Sequence, residues 1–249
     1  MAGRTYKTEG VVLRSFRLGE ADRVLHVYTL ERGRVGAVAK GVRRTKSRFG
    51  ARLEPLSHVD LMLHQGSGEL HTVTGVELVR SHAAAREDPY RLQVGLVGLE
   101  AMLRLFPDQE RNPRAFEALT KFLDLVDELP ERSAGRPGLD ALVIAFQLKL
   151  LWVSGYLPHV TSCVNCGGTS DVVGFSPRAG GAVCRACSEG SIPLSPAGRA
   201  GIDALLRAPL SDAAGTGLTD RAAREALGVV TASYEEHGGF RLRTLKNAS

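Results

Sequence analysis

The sequence predicts an α+β protein of more than one domain: an N-terminal five-stranded OB-fold β-barrel, then an α-helical domain with an inserted four-cysteine zinc module. Three observations carry this reading. Apolar residues fall in short strand-length runs over the first 80 positions and in helical periodicity thereafter. The four cysteines form two CxxC pairs, Cys163 with Cys166 and Cys184 with Cys187, with seventeen residues between the pairs. Positive charge gathers in the first third, where residues 1–80 hold 14 Lys/Arg against 8 Asp/Glu and the remainder 18 against 19. The expected domains are residues 1–80 for the barrel and 81–249 for the helices, interrupted at 160–192 by the zinc module.

Five strands are expected around Val11, Val12 and Leu13, then 24–28, 35–38, 56–64 and 70–79. Turn signals separate them: Leu18-Gly19-Glu20, Glu31-Arg32-Gly33, the basic stretch 41–52, and Gly66-Ser67-Gly68. The fourth alternates cleanly, with Val59, Leu61 and Leu63 on one face and His58, Asp60, Met62 and His64 on the other. Five short strands in about 75 residues suit a small closed barrel, and the OB-fold is the one that binds oligonucleotides. An SH3-like barrel fits the strand count nearly as well.

The helices announce their own starts. Asp88-Pro89, Asn112-Pro113 and Ser195-Pro196 each pair an N-capping side chain with a proline suited to the first turn, and Thr219 opens a last helix to about His237. Between them residues 139–155 form the most apolar helix, ending at Gly155. Asp140, Gln147 and Lys149 interrupt that run, so it reads as a buried core helix rather than a membrane span. Trp152, Phe146, Leu148 and Leu151 are expected in its core contacts.

Two CxxC knuckles can aim four thiolates at one centre, the closed tetrahedral ligand set of a structural Zn²⁺. Disulfides or a redox pair are the alternatives, but the N-terminal residues Met1 to Lys7 carry no apolar signal region and the redox reading needs only one pair. One structural zinc per chain is therefore expected, in a cytoplasmic protein. With four protein ligands the metal has no open position for catalysis.

Between Glu31 and Glu54 no acidic residue occurs, while Arg32, Arg34, Lys40, Arg43, Arg44, Lys46, Arg48 and Arg52 do. Such clustering is the footprint of a polyanion site. Lys40, Arg43, Arg44, Lys46 and Arg48 are the expected phosphate contacts, joined by Arg14 and Arg17 from an adjoining strand. Of the few aromatics near this stretch, Phe16, Tyr28 and Phe49, little base stacking is expected.

No catalytic set is visible. Gly36 to Gly41 has the glycine spacing of a phosphate loop, but Val42 and Arg43 stand where Lys and Ser/Thr are needed. His26, His58, His64 and His71 read as a wet sheet face, and Asp124, Asp127 and Glu128 as a solvated helix end. The protein is expected not to be an enzyme.

The runs Glu9-Gly10-Val11-Val12-Leu13-Arg14, Gly19-Glu20-Ala21-Asp22-Arg23 and Ala39-Lys40-Gly41-Val42-Arg43-Arg44-Thr45-Lys46-Ser47-Arg48-Phe49-Gly50 resemble the barrel of the bacterial recombination mediator RecO family. Gly155-Tyr156-Leu157-Pro158 and both cysteine segments are similar to that family's later regions, in the same order. The resemblance implies a DNA-repair mediator that binds single- and double-stranded DNA and anneals complementary strands without nucleotide hydrolysis. It implies RecR and the single-stranded DNA-binding protein as partners, a functional link to loading RecA onto gaps, association with the nucleoid through DNA, and no membrane. The site for the binding protein's tail is implied to be a hydrophobic, basic pocket on the helical domain, which no motif marks here. An RNA-binding or transcription adaptor built on the same barrel is the alternative.

Overall fold

A computed structural model describes residues 4–44, 47, 49–131 and 135–246. The chain forms two compact units, Met1–Leu129 and Pro130–Ser249. Grouping by packing thus differs from grouping by periodicity, which changes near residue 80, because the first three helices pack with the barrel.

In the first unit, β1 (Arg4–Leu18), β2 (Asp22–Thr29), β3 (Gly33–Ala39), β4 (His58–Gln65) and β5 (His71–Arg80) close in the order β1-β2-β3-β5-β4. All pairings are antiparallel except β3 with β5, which run parallel over two rungs, Ala37 with His71 and Val38 with Thr72. This is the five-stranded closure of an OB-fold. Inward residues alternate along each strand: Leu25 and Val27, then Val35, Ala37 and Ala39, then Val59, Leu61 and Leu63.

Between β3 and β4 a 3-10 turn, Gly50–Leu53, plugs the barrel. Phe49 and Leu53 enter the core at 2% and 1% exposure. Burying each is worth about 1.5–3 kcal/mol, so the segment that carries the basic residues is anchored by apolar side chains.

Helices α1 (Ala83–Glu87), α2 (Pro89–Leu105) and α3 (Pro113–Glu128) complete this unit. Asp88 caps α2 by accepting from Arg91 N at 2.8 Å, and Asn112 caps α3 by accepting from Ala115 N at 3.0 Å. Each such cap contributes about 1 kcal/mol.

The second unit is built on α4 (Ala141–Val153), α5 (Pro196–Arg207), α6 (Asp220–Gly238) and the short α7 (Arg243–Lys246). Helix α4 is buried over Leu142–Leu151 except at the half-buried Lys149, which is why its sequence shows no continuous polar face. Even Gln147 is enclosed, accepting from the Tyr234 hydroxyl at 2.6 Å. Trp152 departs from its expected place: α4 emerges from the core in its last turn and leaves the indole 51% exposed.

Between α4 and α5 lies a three-stranded sheet, β6 (Val172–Ser176), β7 (Gly181–Cys184) and β8 (Ile192–Pro193), in the order β7-β6-β8. Among the described residues no helix is long and apolar enough to cross a membrane.

Candidate metal centre and nucleic-acid interface

Local backbone hydrogen bonds bring the cysteines together. Cys163 N donates to the Gly168 carbonyl and Gly167 N to the Cys163 carbonyl, both at 2.8 Å, which folds the first knuckle. Val164 N then donates to the Ala182 carbonyl of β7 at 2.8 Å, drawing that knuckle against the strand that ends in Cys184. A 3-10 turn over Arg185–Cys187 delivers the last thiol.

The four sulfur atoms lie within 4.8 Å of one another, and among the described residues they are the set able to hold a metal ion. Cys166 Sγ and Cys184 Sγ are 3.8 Å apart, far beyond a disulfide of about 2.05 Å. Hydrogen bonds from the backbone of Cys184, then of Cys166 and Asn165, bring the Cys163 thiol down to about 6. The side chains of Cys184 and then Cys163 push Cys187 up to about 12. Four thiolates this close would repel one another, and a cation at their centre would hold them all deprotonated.

On the barrel, the basic turn after β3 is seated on the turn between β1 and β2. Gly41 N donates to Asp22 Oδ1 at 2.7 Å, Arg43 N to the Ala21 carbonyl at 2.9 Å, and the Arg43 guanidinium to the Glu20 carbonyl at 2.9 Å. Arg44 N closes the turn onto the Gly41 carbonyl at 3.1 Å. Lys40, Arg43 and Arg44 are exposed there, and Arg14 and Arg17 are exposed on the neighbouring end of β1. Lys46 and Arg48 lie outside the described residues.

Aromatic and histidine positions are less uniform than the sequence implies. Tyr28 and Phe49 are buried, at 0% and 2%, while Phe16 stays at the surface. His71 is enclosed and receives the Tyr6 hydroxyl at 2.7 Å from Nδ1, because β1 runs on past its apolar stretch to pair with β4. His58 is buried beside Glu9, 2.6 Å away. These histidines are dispersed around the barrel rather than forming a wet face.

Asp124 and Asp127 also prove to be more than solvated charges. Asp127 Oδ1 accepts from Ala85 N at 2.8 Å, and Asp124 takes both the His82 ring and Arg80. The partners lie some 40 residues away in sequence, so no local pattern announces them.

Residues 1–82 match the family described as Recombination protein O N terminal, and residues 86–246 the family described as Recombination protein O C terminal. A protein of Rubrobacter xylanophilus called DNA repair protein RecO is 41% identical over 86% of each chain. Proteins of the same name from Thermobifida fusca and Frankia casuarinae are 38% and 43% identical over 97% and 96% of each chain.

Proposed function

Because the chain belongs to the recombination protein O family, we propose that it works in DNA repair as a non-enzymatic DNA-binding recombination mediator. It binds single- and double-stranded DNA and anneals complementary single strands. With RecR it helps load RecA onto gaps covered by the single-stranded DNA-binding protein, in the cytoplasm and at the nucleoid.

The observation that carries this reading is the cluster of exposed Lys40, Arg43 and Arg44 on a turn fastened to the β1–β2 end of an OB barrel. Cations held there replace the counterions condensed on a phosphate backbone, and the released ions drive binding with little sequence preference. Two complementary strands brought to such a surface repel each other less. That suffices to speed pairing without chemical catalysis.

The metal is assigned as one structural Zn²⁺, held by Cys163, Cys166, Cys184 and Cys187. Zinc–thiolate bonds of about 2.3 Å in a tetrahedron place sulfurs about 3.8 Å apart, which agrees with the Cys166–Cys184 separation. A bound zinc would lock the two knuckles into one module.

For the tail of the single-stranded DNA-binding protein, the second unit offers a cavity of about 630 Å³ lined by Leu139, Ile192, Leu227, Arg136, Arg224 and Arg241. Glu225 and Glu235 line it too, the latter paired with Arg241, so the apolar walls suit a hydrophobic peptide and the three arginines against two carboxylates leave a net positive rim for its acidic groups.

The test is annealing of complementary strands coated by the single-stranded DNA-binding protein, without nucleotide. Acceleration, and co-elution with RecR, support the assignment. No acceleration together with no binding of RecR or the coated strands defeats it.

A further inference from the structure

The outer surface of the barrel is closed at one end and open at the other. Along β2, Val24, His26 and Tyr28 point away from the core filled by Leu25 and Val27, and Arg34, Gly36 and Val38 do so along β3. At the Tyr28 end the α2–α3 connection covers this face. Tyr28 packs edge-on to Phe106 with ring centroids 5.6 Å apart, Arg34 pairs with Asp108 at 2.6 Å, and Gln109 N donates to the Arg34 carbonyl at 2.9 Å. At Gly33, φ +64°, a Cβ would stand 1.9 Å from the Glu110 carbonyl oxygen, so only glycine admits so close a lid.

Toward the basic turn, among the described residues, nothing comparable covers the same face. Past a bulge in β1, Arg14 stands opposite His26 and Phe16 opposite Val24, and β2 continues the register with His26 opposite Gly36 on β3. Phe16 is 37% exposed. It meets His26 edge-on at 5.6 Å, and the Arg14 guanidinium sits over it, 4.3 Å from the centroid. Leu70, 45% exposed, reaches across from the β4–β5 connection onto Gly36, where a Cβ would be 2.6 Å from its Cδ2. Phe16, His26 and Leu70 therefore mark an apolar and aromatic strip across three strands, about 10 Å wide at about 4.8 Å per strand.

An exposed phenyl ring with a guanidinium against it, beside a basic turn, suits a polyanion that also carries flat apolar faces. Single-stranded nucleic acid fits, whereas a duplex keeps those faces stacked inside. We propose that Phe16, with Arg14 beside it, is a base-stacking residue of a single-strand site on this face, and that it sets the preference for single over double strands. The proposal rests on the DNA-binding reading of the barrel and gives that site a way to read bases as well as phosphates. Guanidinium and phenyl planes both stack on bases, and His26 and Leu70 close the edges of the strip.

The experiment uses the full chain and three probes of equal length: an ordinary single strand, a strand of abasic sites that keeps only the backbone, and a duplex. Wild type is expected to prefer the ordinary strand over the abasic one by on the order of tenfold for each stacked base. Phe16→Ala should erase that preference while leaving abasic and duplex affinities within about twofold, and Phe16→Trp should restore it. An equal loss on all three probes, or no loss on any, overturns the stacking role, with thermal melting used to verify that the variants fold. A wild type that binds none of the probes, or binding untouched by Arg43→Glu with Arg44→Glu, would instead bring down the DNA-binding reading on which it rests.

Discussion

His82 Nε2 lies 3.0 Å from Asp124 Oδ1, while its Nδ1 lies 2.8 Å from the Leu56 carbonyl oxygen. One fully buried ring thus joins the chain entering β4 to the C-terminal half of α3. Both His82 and Leu56 adopt left-handed backbone, φ 47° and 74°, a conformation that costs non-glycine residues energy and persists only where contacts fix it. Removing the ring with His82→Ala leaves a buried carbonyl without its partner and a cavity between barrel and helices. The expected loss is about 2–4 kcal/mol, read as a lower midpoint in urea unfolding.

Charge reversal at Arg43 and Arg44 together should abolish most DNA binding while lowering stability by no more than about 1.5 kcal/mol, the worth of the exposed bond from the Arg43 guanidinium to the Glu20 carbonyl. In the wild type, log affinity for single strands should fall with log salt at a slope of about −0.7 per neutralised phosphate. Titrations by fluorescence anisotropy at several salt concentrations give both quantities.

Elemental analysis of metal-replete protein should find one zinc per chain. Cys184→Ser, or a strong chelator, should raise hydrogen exchange first over residues 161–192, where backbone bonds such as Val164 N to Ala182 hold the knuckles to β7. DNA affinity should drop less than the stability of the second unit, because the barrel has a separate core.

Acid should weaken the second unit through Glu225. Burial favours its neutral form, but the Ser195 hydroxyl and backbone N–H, together with Arg221, outweigh that and hold the carboxyl below the ordinary carboxylate range. A lowered folded value means the stabilisation is fully present above the unfolded value, about 4.3, and is lost as pH falls through the folded one. Melting followed from pH 7 to pH 3 should show this loss, and Glu225→Gln should flatten it.

Helix starts were the most legible features of the sequence, because a cap is a local device. Asp88, Asn112, Ser195 and Thr219 each accept from a backbone N–H three residues on, so the residues that write the signal are those that make the bond; Asp140, read in the sequence as a break in an apolar run, proves instead to cap α4 by accepting from Leu142 N. Barrel strands with alternating apolar faces were legible for the same reason. The polar half of β1, Arg4 to Thr8, was not, since only its pairing with β4 makes it a strand. Spacing alone brought the four cysteines together as a candidate metal-ligand set, whereas the sheet beside them includes a two-residue strand too short to leave a pattern. Long-range contacts hid Asp124, and the lid from α2–α3 is what separates the fate of Tyr28 from that of Phe16.

The parallel contact between β3 and β5 is the thinnest ladder in the barrel, two rungs against seven or eight in its neighbours. It is the seam of the cylinder, and the place where breathing motions would part it first. Leu70, just before β5, already bridges the seam to Gly36. A strand lying from Phe16 across to Leu70 would act as a splint over that joint, so that holding a ligand and keeping the cylinder shut become one event.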